Sequence, residues 1–168
     1  DEPNMEGMMN LAIFFDATAV AGEHNLLESL KAILFERVET NSPFLANFAK
    51  SAVAFETPIG LFTNFIAQDN RIDIKKGGIF PLVHGLRALA LQYHLPETNS
   101  FDRLTVLAQQ GHIESQLAQD CNEALSFLLT LRLQQGLIAL DVGAPASNLI
   151  EPKRLSTLER DLLKEAFS

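Results

Sequence analysis

The chain has no tryptophan, one tyrosine and a single cysteine, Cys121. One thiol cannot form an internal disulfide, and the paired cysteines of a CxxC zinc site are missing. Both points fit a reducing compartment, and the expected location is the cytoplasm. Positive charge is scarce: 13 Lys and Arg stand against 21 Asp and Glu, for a formal net charge of -8. A broad phosphate-tracking surface draws its affinity from Lys and Arg that displace counterions, so this balance argues against DNA or RNA as partner. No apolar run approaches the roughly 20 residues that span a bilayer, and Asp1-Glu2-Pro3-Asn4 does not resemble a signal peptide, so no membrane role is expected. The missing initiator Met fits a piece cut from a longer chain, and removal of a tag would explain it too.

Motifs that carry chemistry are also missing. There is no GxGxxG, no GxxxxGK[ST] and no GxSxG. His24, His84, His94 and His112 are scattered over separate segments, so no metal site is expected. Cys121 lies on the apolar stripe of a long helical segment, where a thiol is ordinarily an inert packing residue. No catalytic residue is assigned.

What is present is apolar and helical. With 47% hydrophobic residues, 12 of them Phe, 168 residues can bury one real core. Residues 1–10 are polar and Met-rich and read as a flexible N-terminal segment. Leu11-Ala12-Ile13-Phe14-Phe15, ending at Asp16, reads as an extended or irregular segment packed on the core. Leu26, Leu27, Leu30, Ile33, Leu34 and Val38 recur at helical spacing, and Asn41-Ser42-Pro43 offers the start of a second helix to about Phe55. Ile72-Asp73-Ile74-Lys75 alternates and precedes Gly77-Gly78, which predicts a small β-hairpin or irregular insertion around residues 62–78. A nearly all-apolar helix follows over Pro81–His94, then a short one over Phe101–Gln110 stopped by Gly111. The longest helix runs from Glu114 to Gln135, with Leu117, Cys121, Leu125, Leu128 and Leu131 on one stripe. Gly143 to Asn148 is a loop, and a last helix from Leu155 carries a capping box at Ser156 and Glu159. The predicted fold is mainly α, a single helical bundle over residues 11–168.

Charges set in apolar sequence are the informative positions, because an unpaired buried charge costs several kcal/mol and so implies a partner. Asp16, Arg87 and Arg132 qualify. In one account Asp16 and an acid such as Asp73 or Glu123 neutralise the arginines inside the bundle; in the other the arginines line an anion pocket for a phosphate or an acidic peptide. Lys75-Lys76-Gly77-Gly78 offers positive charge and backbone amides, and reads either as an ordinary basic turn or as a weak anion site.

Taken in order, several segments resemble the nucleotidyltransferase substrate-binding domain family of bacterial signalling proteins. They are Phe14-Phe15-Asp16 with Val20-Ala21-Gly22; Pro58-Ile59-Gly60-Leu61-Phe62; Ile72-Asp73-Ile74-Lys75 on to Gly78 and Pro81; Arg87-Ala88-Leu89-Ala90-Leu91; Arg103-Leu104; Leu131-Arg132-Leu133; and Asn148-Leu149-Ile150-Glu151-Pro152 through Ala166-Phe167. Gln134-Gln135 departs from the family's usual pattern, which carries a basic residue and a His near Gln. The resemblance implies an all-α domain that follows a catalytic domain similar to nitrogen-regulator uridylyltransferases, often behind CBS or cyclic-nucleotide-binding domains. Such a catalytic domain holds Mg and a nucleoside triphosphate with a Gly-Ser turn and an Asp-x-Asp pair. This chain contains neither. It is therefore expected to be non-catalytic and cofactor-free, binding a substrate or partner and positioning an acceptor for nucleotidyl transfer by the catalytic domain of its parent chain. An acceptor protein is the expected further partner. Asp16, Asp73, Lys75, His84, Arg87, Arg103 and Arg132 are the candidates for substrate binding or ion pairing. The alternative is a regulatory or dimerisation bundle that transmits signals from upstream sensor domains, in which the chain would form a homodimer.

Overall fold

A computed structural model describes residues 5–40, 42–53 and 71–167. Among these the chain is mainly α, with seven α-helices and one two-stranded antiparallel sheet. None of these helices is long and apolar enough to cross a membrane. The chain divides into two compact units, residues 1–54 with 83–114 and residues 55–82 with 115–168.

The first unit holds α1 (Met5–Phe15), α2 (His24–Thr40), α3 (Ser42–Lys50), α4 (Phe80–Gln92) from Val83 onward, and α5 (Ser100–Gln109). The segment expected to be extended at Leu11–Phe15 is the end of α1, and Met5–Asn10 form its first turns. Met8, Ala12 and Phe15 show why: at i, i+4 and i+7 they make one buried face, which an extended strand would split between two sides. The Phe15 ring meets Phe35 of α2 edge-on at 5.9 Å.

α2 follows the predicted helix but buries little of its apolar stripe. Leu34 and Val38 are buried, whereas Leu26, Leu30 and Ile33 are 67%, 52% and 54% exposed. α4 is buried along much of its length, at His84, Leu86, Ala88, Ala90 and Leu91. It ends with Leu95 N–H donating to the Ala90 carbonyl and His94 in the left-handed region at φ 54°. α5 starts at Asn99, whose side chain accepts from the Phe101 amide at 2.8 Å. It stops at Gly111, whose φ of 74° suits a residue without Cβ, as the sequence predicts.

The second unit holds β1 (Ile72–Asp73), α6 (Ser115–Asp141), β2 (Leu149–Ile150) and α7 (Thr157–Glu165). The alternating stretch does form a strand, but β1 pairs with β2 rather than with a hairpin arm of its own, Ile72 opposite Ile150 and Asp73 opposite Leu149. Lys75–Ile79 then winds into a π-helical turn. The rest of the expected insertion, residues 62–70, lies outside the described residues.

Gly78 explains the glycine requirement of that turn. A Cβ there would come within 2.8 Å of both Leu128 Cδ1 on α6 and Phe167 Cε1 beyond α7. α6 outlasts its predicted end by six residues, because Gly136 costs a helix only about 1 kcal/mol relative to Ala. The real stop is Gly143, at φ 65°, with Ala144 N–H bonded to the Ala139 carbonyl. The buried stripe of α6 is Ala118, Leu125, Leu128 and Leu131; Leu117, expected on it, is half exposed. α7 has the predicted capping box, Ser156 Oγ accepting from the Glu159 amide while Glu159 Oε2 accepts from the Ser156 amide.

Candidate functional site

Three of the candidate residues converge in the first unit. Asp16, just past α1, accepts from Arg87 Nε on α4 at 2.7 Å through Oδ2, and from Arg103 Nη2 on α5 at 2.7 Å through Oδ1. One carboxylate thus holds two guanidiniums. The Arg103 side chain is fully buried, whereas Arg87 and Asp16 are 17% and 24% exposed. Arg103 also donates from Nε to the Glu97 carbonyl at 2.8 Å and lies over the Phe15 ring at 4.7 Å. Burial pushes the Arg103 pKa down and Asp16 pulls it back up; an arginine so placed keeps its charge at neutral pH. Lys31 borders the cluster, donating from Nζ to the Ala17 carbonyl at 2.7 Å, and burial then Arg103 lower its pKa.

His84 lies one turn before Arg87 and is fully buried. Its ring stacks on Phe48 at 4.6 Å, and Nε2 is 2.8 Å from the Phe48 carbonyl, which can only accept, so Nε2 carries the proton. Burial above all lowers the His84 pKa, leaving a neutral ring at pH 7. Asp16 accepts from both guanidiniums and the Glu97 carbonyl from Arg103, while Arg103 Nη1 is buried with no hydrogen-bond partner among the described residues; the cluster ties the end of α1 to α4 and α5.

Asp73, Lys75 and Arg132 are in the second unit. Asp73 does not meet an arginine among the described residues: its Oδ1 accepts from the amides of Lys75 and Lys76 at 3.0 and 2.9 Å and so starts the π-helical turn. Glu123, the other expected neutraliser, accepts from Gln119 Nε2 on the surface of α6. The Lys75 side chain is exposed.

Arg132 differs from the other two arginines. It is exposed on α6, and its Nε donates to Asn148 Oδ1 at 2.9 Å; among the described residues no carboxylate pairs with it. The Asn148 carbonyl in turn accepts from the Ile74 amide at 3.1 Å, so this asparagine joins α6 to the strand pair. Arg132 lines an open groove of about 590 Å³ together with Leu129, Leu133, Gly136, Leu137 and Leu140 of α6 and residues of the 144–148 loop. Leu133, Leu137 and Leu140 are 64%, 53% and 72% exposed. Among the described residues nothing lies within 4 Å of where a Cβ on Gly136 would be.

Arg132 stands out in the sequence as a charge among apolar residues; the groove is far less conspicuous. Its signal is a second apolar row on α6, Leu129, Leu133, Leu137 and Leu140, running beside the buried stripe. Cys121 is half-buried on α6, and burial, then Asp120, raise its thiol pKa.

Among the described residues the second unit thus carries an apolar groove that Arg132 lines with no carboxylate paired to it. The family model described as Putative nucleotidyltransferase substrate binding domain matches residues 42–168, and the chain belongs to that family. Arg87, Arg103, Arg132 and the groove lie within the matched residues, while Asp16 and the α1–α2 pair precede them. No curated protein and no solved structure gives a significant match.

Proposed function

We propose that this chain is the recognition part of a nucleotidyltransferase-type signalling protein, and that it holds an acceptor in the α6 groove for a catalytic domain supplied by the parent chain. The observation that carries this reading is Arg132, a guanidinium that no carboxylate neutralises among the described residues, in the wall of an apolar groove. Apolar walls supply affinity and one fixed polar group supplies orientation, which is the usual economy of a binding cleft. The matching ligand is an apolar helical segment that carries a carboxylate or a phosphate. Mg and the nucleoside triphosphate belong, in this reading, to the catalytic domain.

The test uses a synthetic leucine-rich helical peptide with a terminal pair of carboxylates, followed by fluorescence anisotropy, beside calorimetric titrations with ATP and UTP. Arg132→Ala should weaken peptide binding about tenfold or more, which is about 1.4 kcal/mol. Gly136→Leu should abolish it by filling the groove, while the open space around Gly136 and the better helix propensity of Leu leave the fold intact. Arg87→Ala should leave it unchanged. Binding of ATP or UTP without binding of the peptide would overturn the reading.

A further inference from the structure

Among the described residues, the first unit carries a second apolar surface that its own core does not use. Leu26, Leu30 and Ile33 are each more than half exposed, and with Glu23 before them and Arg37 after them they repeat at spacings of 3, 4, 3 and 4 residues. Alternate spacings of three and four keep Leu26, Leu30, Ile33 and Arg37 on one stripe of α2, the spacing used by coiled-coil seams, and Glu23 immediately precedes the helix. Leu30, Ile33 and Arg37 also line a groove of about 370 Å³ whose other side is Leu11 and Phe14 of α1. Both Glu23 and Arg37 are exposed, and the Arg37 guanidinium has no ion pair among the described residues.

The order of charges along the seam selects the occupant. The stripe is acidic at its start, apolar in the middle and basic at its end. At 1.5 Å per residue, Leu26 and Arg37 lie equally far, about 8 Å, on either side of the point midway between Leu30 and Ile33. A two-fold axis through that point sets Leu30 against Ile33 of the other copy and brings the other copy's Arg37 abreast of Leu26. Glu23 is then one turn further along, roughly 4.5 Å in axial distance and within reach of an arginine side chain. The same charge pair forms twice by symmetry, as an isologous interface requires. A parallel pairing would instead place Arg37 beside Arg37 and Glu23 beside Glu23.

We infer that the chain forms a homodimer in which two α2 helices pack antiparallel along this seam, each seated in the groove between the other copy's α1 and α2. The dimer is held by Leu26, Leu30 and Ile33 and its direction is set by Glu23 and Arg37.

Sedimentation velocity on the 168-residue chain, from about 5 to about 500 µM, reads the association directly. Ile33→Asp, Glu23→Arg and Arg37→Glu should each raise the dimer dissociation constant at least tenfold. The doubly reversed Glu23→Arg, Arg37→Glu variant should regain most of the parent affinity, because it restores opposite charges across the axis. All three positions are exposed, and circular dichroism verifies the fold; if a reversal lowers helicity, Glu23→Ala and Arg37→Ala replace it, with the expected weakening smaller but of the same sign. A parent chain that stays monomeric over the whole range overturns the inference, even if it then binds the leucine-rich acidic peptide in the α2 groove. A dimer that ignores the single reversals, or one that the double reversal fails to restore, overturns it equally.

Discussion

Replacing Asp16 with Ala leaves two guanidiniums facing each other, one of them with no access to water. Breaking a buried ion pair by removing one partner costs about 3–5 kcal/mol, since the remaining charge is left without compensation. Asp16 and Arg87 are partly exposed and water screens their half of the cluster, so the expected loss for Asp16→Ala is about 3 kcal/mol, most of it from Arg103. Arg103→Met should cost less, about 1–2 kcal/mol, because Asp16 keeps its bond to Arg87 and a Met fills much of the same volume. The sharpest expectation is a reversal. The Asp16→Ala, Arg103→Met double variant should be more stable than Asp16→Ala alone, because it removes the uncompensated buried cation. Tyr93 is the only tyrosine of a tryptophan-free chain, and it stacks on His112 at 3.6 Å within the same unit. Its fluorescence in a urea titration therefore reports the unfolding of this unit. A loss below about 1 kcal/mol for Asp16→Ala, or a double variant less stable than the single one, would refute the view that Asp16 is the electrostatic centre of the unit.

Other perturbations give independent checks. The folded-state pKa of His84 is pushed below 6.5 by burial, so the unfolded chain binds its proton first; stability is fully present above about pH 6.5 and declines as pH falls below it, by at most about 1.4 kcal/mol per pH unit from this residue. His84→Gln should flatten that decline in unfolding midpoints followed by circular dichroism between pH 7.5 and 5.5, and an identical pH dependence in the variant would contradict the assignment. Gly78→Ala should destabilise the second unit by about 1–3 kcal/mol in thermal unfolding, because its methyl must displace the Leu128 and Phe167 side chains. Ser156→Ala should cost about 1 kcal/mol by removing the cap of α7, measurable as a lower melting temperature, with no effect on peptide binding at the α6 groove.

Much of the helical fold is legible in the sequence because its signals are local. The stripe of α2, the apolar helix over Pro81–His94, the stop at Gly111 and the Ser156 box each depend on residues within a few turns of one another. What was hidden depends on partners far along the chain. Two-residue strands carry almost no pattern, so nothing near Ile72 announces Leu149–Ile150. The run Leu11–Phe15 is too short for periodicity to tell strand from helix; Met8, three residues earlier, completes the helical face. Among the candidate site residues, Arg87 was visible as a charge in apolar sequence and Arg103 through the family resemblance. That both would share Asp16 follows only once α4 and α5 are placed. Arg132 looked equivalent to Arg87 because both interrupt apolar helices. They diverge through their neighbours: a carboxylate in one case, an asparagine amide beside an open groove in the other.

That asparagine has a mechanical consequence. Asn148 holds Arg132 with its side chain and the Ile74 amide with its carbonyl, one residue before the strand pair begins. The position of Arg132 and the seating of the Lys75–Ile79 turn are therefore not independent degrees of freedom. A ligand that draws the guanidinium toward itself pulls on a joint whose other arm is a backbone hydrogen bond. Occupancy of the groove should then be audible in the exchange rate of a single amide, that of Ile74, which no ligand in the groove needs to touch.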